Sequence, residues 1–174
     1  MTLDPLHGPA AGALGRAFDE SFSRAPVEAV AAVPLLAVRV GGDALAVRLR
    51  ETRGFERLRV VTPLPTERAE LLGLCGVRGQ LVPVFDLAVL LGAPAADLAR
   101  WLILCGDEDP IGLAVSDFEG HAAAVAGDFL AAREGRRHVT QQVRLLGTLR
   151  GLVDVPAVVQ DVYMRSAPAA AKER

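Results

Sequence analysis

A mostly β fold built from two similar units in tandem is predicted by three features of the 174-residue sequence. From Leu35 onward the apolar residues come in short runs of four to seven, rich in Val and Leu and separated by Gly, Asp and Pro, which is the spacing of strands and turns. The Leu35–Val47 segment, interrupted by Gly41-Gly42-Asp43, returns some 66 to 68 positions later as Trp101–Leu104, a Gly106-Asp107-Glu108-Asp109-Pro110 turn and Ile111–Val115. A second echo relates Leu145-Leu146-Gly147, Arg150-Gly151 and Pro156 to Leu71-Leu72-Gly73, Arg78-Gly79 and Pro83, with unequal gaps.

Residues 1–34 read as an N-terminal extension. Gly, Pro and Ala surround a helix-like stripe of Leu14, Phe18 and Phe22 at i, i+4 and i+8, suited either to the protein's own body or to a partner. The first unit, about 35–100, offers strands at Leu35–Val40, Ala44–Arg50, Arg57–Val61, Leu72–Val77 and Leu81–Phe85, with a tight turn at Arg78-Gly79-Gln80. Asp86 is placed to cap a short helix reaching Leu91, because its carboxylate can accept backbone N–H groups two or three residues on. Gly92 supplies the left-handed residue after the helix, and Pro94 prevents continuation. The second unit, about 101–165, repeats the pattern. Polar residues from Ala131 to Gln142 suit an exposed loop, and residues 166–174 a disordered tail.

Composition narrows the function. Hydrophobic residues make up 51%, but 29 of them are Ala, so the core depends on Val and Leu. With 19 basic against 21 acidic residues and a net charge of −2, no broad field attracts polyanions, so nucleic acid is not expected as the partner. Eighteen of the basic residues are Arg and only Lys172 is Lys, a coding bias that weakens any argument from Arg counts. Cys75 and Cys105 lie in apolar runs and form neither a metal motif nor a disulfide framework. Charged residues precede any long apolar stretch, and the Ala29–Val38 run holds Pro34 and stops at Arg39. A soluble, cytoplasmic protein without direct membrane insertion is expected.

No phosphate-binding Gly-rich loop, dinucleotide fingerprint, zinc-protease helix or serine-nucleophile elbow is written here. His7, His121 and His138 share no ligand-like spacing, and Asp107-Glu108-Asp109 lacks the pattern of a calcium loop. Neither metal nor cofactor is expected, and binding is favoured over catalysis. A small enzyme drawing on Cys105, Asp107, Asp109 and His121 is the remote alternative.

The stretch Leu72-Gly73-Leu74-Cys75-Gly76-Val77-Arg78-Gly79-Gln80-Leu81-Val82-Pro83-Val84-Phe85-Asp86-Leu87 resembles the CheW family of bacterial chemosensory coupling proteins, and Leu49-Arg50-Glu51-Thr52-Arg53-Gly54-Phe55 resembles that family's Val-x-Glu-Ile segment in register with it. The likeness covers roughly Leu35 to Val162. It departs from the family at Gly76, where Asn is usual, at Ser116, where Asp is usual, and at His121, where an aliphatic is common. The resemblance implies two five-stranded Src-homology-3-type barrels. It also implies a non-catalytic adaptor, recruited to membrane-associated receptor arrays, that joins the cytoplasmic tip of a methyl-accepting chemoreceptor to the regulatory domain of a CheA-type histidine kinase. The alternative is an accessory or inhibitory paralogue that binds only receptor or kinase in a pilus or cyclic-dinucleotide pathway.

On that resemblance the partner-binding candidates are Leu49, Glu51, Arg78, Gly79 and Gln80, while Gly73, Pro83 and Asp86 serve the backbone. Leu49 matches a position associated with kinase binding, though a Leu in an alternating strand is more often core. Arg78 either contacts a partner or pairs with Glu51 to hold two strands together. Pro83 suits an edge or a corner of its sheet, since it donates no ladder hydrogen bond.

Overall fold

The computed structural model describes residues 31–95, 98–106, 109–132 and 136–166. The Leu14/Phe18/Phe22 stripe, Asp107, Glu108 and the segment beyond 166 lie outside them. The described chain runs β1 (Val33–Val40), β2 (Asp43–Arg48), a 3-10 turn (Leu49–Glu51), β3 (Gly54–Arg57), β4 (Val61–Thr62), β5 (Leu71–Val77), β6 (Gln80–Asp86) and α1 (Leu87–Leu90). It continues through β7 (Trp101–Cys105), β8 (Ile111–Val115), β9 (Asp117–Ala124), a second 3-10 turn (Ala126–Asp128), β10 (Phe129–Ala131), β11 (Val139–Leu145), β12 (Thr148–Val153) and α2 (Val155–Ser166).

Two six-stranded sheets result. Sheet A has the order β10-β11-β12-β2-β1-β9, and sheet B the order β3-β7-β8-β6-β5-β4. Taken from its β4 edge, sheet B matches sheet A strand for strand, each counterpart lying six strands along the chain. The tandem repeat therefore exists in the chain, but each sheet draws on both repeats. The β1–β2 hairpin joins β9–β12, and the β7–β8 hairpin joins β3–β6. The exchange is made by two parallel pairings, β12 with β2 (Gly151↔Leu45 to Val153↔Val47) and β6 with β8 (Val84↔Gly112 to Asp86↔Ala114).

A split into 35–100 and 101–165 is thus not how the sheets divide, and each sheet has six strands where five were expected. Alternation specifies which side chains face inward, and equivalent strands of two repeats satisfy either pairing equally well.

The exchanged hairpins are the centre of the molecule. Leu36, Val38 and Val40 of β1 and Ile103 and Cys105 of β7 enter one cluster shared by both sheets, with Phe85, Leu87, Val158 and Val162. The alternate residues face inward within their own sheets, Leu35 and Ala37 in sheet A, Leu102 and Leu104 in sheet B. Burial on both faces explains the unbroken apolar runs of these strands. Phe55, Trp101 and Phe118 close one edge of the shared core, with ring centroids 4.9, 4.5 and 5.9 Å apart.

Local corrections have clear causes. The Arg57–Val61 segment is two strands on opposite edges of sheet B, linked through residues 58–60. The strand expected over Ala44–Arg50 stops at Arg48, where the 3-10 turn begins. Val139–Gln142 is strand rather than loop, because pairing with β12 outweighs its polar composition. Counterparts of the Arg78-Gly79 turn (φ +50 and +83) are Leu146-Gly147 (φ +50 and +72), not Arg150-Gly151. Both are two-residue hairpin turns needing positive φ twice, which Gly meets at the second place without steric cost.

Candidate functional site

After Arg48 the backbone tightens into the 3-10 turn. The N–H and hydroxyl of Thr52 both donate to the Leu49 carbonyl, at 3.1 and 2.8 Å. The turn is then fastened to β7, since the Arg53 N–H donates to the Leu104 carbonyl at 2.7 Å and Arg53 Nη1 to the Gly106 carbonyl at 3.0 Å. Opposite stands α2. Asp154 begins it, its Oδ1 accepting from Ala157 N at 3.1 Å. Val155, Val158 and Val162 recur at i, i+3 and i+7 and are buried in the shared core. The neighbouring stripe, Pro156, Val159, Tyr163 and Met164, is left facing outward across from the turn.

Between them lies a groove of about 800 Å³ with Arg50, Glu51, Thr52 and Arg53 along one side and the α2 stripe along the other. The Tyr163 hydroxyl donates to the Asp109 carbonyl and ties the helix to the β7–β8 connection. A smaller recess of about 280 Å³ is lined by Arg53, Val77, Arg78, Gln80, Val82 and Leu104. Arg53 borders both, so the two form neighbouring parts of one surface.

Among the sequence-predicted residues, Glu51 lines the groove, Arg78 and Gln80 line the recess, and Leu49 stands 43% exposed on the turn instead of in the core. Gly79 supplies the second positive φ of the tip. The expected Glu51–Arg78 pair is absent. Arg78 Nε instead meets Glu56 Oε1 at 2.7 Å, and Glu51 Oε1 takes Arg48 Nη1 at 3.2 Å. The reason is geometric. The β5–β6 tip overlies β3, where a Cβ on Gly54 would sit 3.5 Å from Arg78 Nη2, so the carboxylate within reach belongs to β3. Gly73 (φ +140) is required by packing, because a Cβ there would lie 2.1 Å from the Thr62 carbonyl oxygen.

At Pro83 β6 has β5 as its neighbour on one side only, the parallel ladder with β8 starting one residue later at Val84. The strand is interior to its sheet, but at Pro83 it is locally an edge, and the missing donor is tolerated for that reason. Asp86 caps α1 as expected, accepting from Ala88 N at 2.8 Å, and Gly92 follows with φ +81.

Among the described residues of the enzyme alternative, Cys105 and His121 stand apart. Cys105 is buried in the shared core, while His121 lies in β9 of sheet A, opposite Leu36. Burial, reinforced by the Glu51 charge, pushes the Cys105 thiol up to about 12, which favours its protonated form. Among the described residues no group of His, Cys, Asp and Glu could hold a metal ion.

Sequence reading missed Arg53 and the whole of α2. The helix was legible, however. Asp154 is an N-cap residue, Pro156 tolerates the first turn, and Val155, Val158, Val159 and Val162 follow helical periodicity.

Comparison with known proteins places this architecture. Residues 34–162 match the CheW-like domain family. A probable chemotaxis protein CheW of Rhizobium etli is 34% identical over 71 residues, covering 40% of this chain and 46% of that protein. The chemotaxis protein CheW of Rhizobium meliloti is 33% identical over 63 residues, 36% of this chain and 41% of that protein. Each alignment thus spans less than half of the relative. The crystal structure of the scaffolding protein TtCheW from Thermoanaerobacter tengcongensis superposes with a TM-score of 0.61 at 12% identity, over 70% of this chain and 88% of that one, a likeness of fold. A family match that begins within β1 and ends within α2, taking in both exchanged hairpins, establishes that the chain belongs to the CheW-like domain family.

Proposed function

We propose that this chain is a non-catalytic adaptor that couples the cytoplasmic tip of a methyl-accepting chemoreceptor to the regulatory domain of a CheA-type histidine kinase. The observation that carries the reading is the groove between the Leu49–Glu51 turn and α2. Its apolar stripe and charged opposite bank suit a helical ridge laid lengthwise, with apolar residues at i, i+3, i+4 and i+7 toward α2. The kinase contact is assigned to the β5–β6 tip, where Arg78, Gly79 and Gln80 are followed by Leu81, which is 74% exposed, and to Leu49, 43% exposed on the turn. Signalling would change through unequal affinity of the adaptor for two states of the assembly, since equal binding shifts nothing. The site of action is the cytoplasmic face of membrane-associated receptor arrays. In support, no helix among the described residues is long and apolar enough to cross a membrane.

Calorimetric titration against a receptor-tip fragment and, separately, the kinase regulatory domain tests this. Wild type binds both. Met164→Glu, at a groove residue that is 73% exposed, weakens the receptor fragment at least tenfold and spares the kinase domain. Arg78→Ala does the reverse. Binding to one partner alone supports the accessory paralogue, and binding to neither overturns the adaptor reading.

A further inference from the structure

The groove has one bank fastened by backbone hydrogen bonds and another that is a single helix. Tyr163 ties that helix on the groove side, and a second set of directional bonds holds it on its far side. Asp161 does not line the groove. Its Oδ1 accepts from Arg137 Nη2 at 3.2 Å and from Arg165 Nε at 3.0 Å, and its Oδ2 lies 3.3 Å from His138 Nε2. Arg137 and His138 belong to the turn before β11 in sheet A. The same turn reaches the start of α2, where the His138 carbonyl accepts from Asp154 N at 2.8 Å. Arg165 also approaches Glu70 Oε1 at 3.7 Å, and Glu70 takes Arg68 Nε at 3.2 Å. The Glu70 carbonyl in turn accepts from Asp86 N at the head of α1. One helix is thereby clipped to sheet A through Asp161 and to the β4–β5 segment of sheet B through Arg165.

We propose that Asp161 is a positioning residue for the groove. By drawing three cationic or imidazole donors onto one carboxylate, it fixes the rotation and depth of α2, and with them the line of Pro156, Val159, Tyr163 and Met164 presented to a helical partner. The apolar stripe Val155/Val158/Val162 anchors the helix but resists sliding poorly, because neighbouring aliphatic contacts are non-directional. The charge-assisted hydrogen bonds at Asp161, together with the neutral Tyr163 bond at the other face, supply the missing direction. Partner affinity then depends on a group that never touches the partner.

The affinity part rests on the adaptor reading, so the test has an arm that does not. In free full-length protein, Asp161→Asn speeds amide hydrogen exchange across Val158–Val162 roughly tenfold, while the β1 and β7 ladders stay protected. In titration, the same variant weakens the receptor-tip fragment roughly five- to tenfold and leaves the kinase regulatory domain unchanged. Asp128→Asn, which alters the acceptor of the Val125 N–H at the second 3-10 turn, away from this cluster, changes neither readout. Arg165→Met, losing only the link to Glu70 and one donor to Asp161, moves both readouts the same way by less, and stands in should Asp161→Asn fail to fold. If wild type binds no receptor fragment, the adaptor reading fails and exchange alone decides the positioning role. Unchanged exchange in α2, or faster exchange with unchanged affinity in a wild type that binds, overturns the proposal.

Discussion

On β6 of sheet B, the position facing the sheet's own interior is Val82, 1% exposed within an all-apolar cluster. Its counterpart on β12 of sheet A is Arg150, 3% exposed. Arg150 Nη1 meets Glu119 Oε2 at 2.5 Å, its Nε donates to the Leu145 carbonyl at 3.3 Å, and Glu119 Oε1 takes Arg39 Nε at 2.6 Å. The helices that follow differ as well. α1 is four residues long and closes over the core, whereas α2 is twelve and leaves a stripe to spare. Even the hairpin tips diverge, Arg78 paired to Glu56 in one and a half-exposed Leu146 in the other. One strand layout thus carries two different surfaces. The layout follows from apolar positions that both repeats share, and the binding surface from positions that they do not.

Six substitutions bear on this contrast. The largest effect belongs to what the sheets have in common. Leu113→Ala in the shared core costs about 3–4 kcal/mol, and Trp101 fluorescence (sheet B) and β11 amide protection (sheet A) are lost together in denaturant. Separate transitions would show that the two sheets are independent bodies. Next comes Glu119→Gln, which strands the buried Arg150 and costs on the order of 2–3 kcal/mol in urea unfolding. Adding Arg150→Leu, the apolar solution of sheet B, recovers most of it. If the double variant is no better than the single, the two sheet interiors are not interchangeable.

Acid titration sharpens the same point. Hydrogen bonds from Arg39 and Arg150, outweighing partial burial, hold the Glu119 carboxyl below its usual range. Its folded pKa is thus under its unfolded one, so its stabilisation is complete above the ordinary carboxylate range of about 4 and disappears as pH falls through the folded value. Glu119→Gln accordingly shows a shallower loss of melting temperature below about pH 4 than wild type. Asp161 behaves likewise: burial raises its pKa, but hydrogen bonds from His138 and Arg165 leave it lowered overall.

Smaller still, Asp154→Ala removes the α2 cap at about 1 kcal/mol, and calorimetry with the receptor fragment reads weaker binding. The equivalent Asp86→Ala at α1 lowers stability and leaves the groove's affinity for that fragment unchanged. The smallest change in stability, about 0.5 kcal/mol, is expected for Arg78→Ala, whose pair with Glu56 is largely exposed. A larger loss in thermal unfolding would mean that the tip is a structural strut.

Much of the fold was legible because local chemistry wrote it. The β1–β2 and β7–β8 hairpins, the positive-φ turn at Arg78-Gly79 and the Asp86 cap with Gly92 beyond it follow from residue type over a few positions. The candidate site was legible in part. Glu51, Arg78 and Gln80 line two adjoining hollows, but Arg53, which links them, carries no local mark that separates it from seventeen other arginines. The Glu51–Arg78 pairing failed because ion-pair choice depends on distances across strands. Here Glu56 and Arg48 are nearer.

By itself, then, the sequence determined which segments extend, where they turn, which faces they bury and that two copies of one pattern lie in tandem, since these depend on periodicity and on the conformational limits of Gly, Pro and Asp. Only the tertiary structure decided that the repeats exchange hairpins, that a buried Arg150 finds Glu119, and that α2 stands opposite the Leu49–Glu51 turn to make a groove. Hydrophobic burial is satisfied by either pairing of equivalent strands, and the choice rests on contacts between residues far apart in the chain that no local pattern encodes.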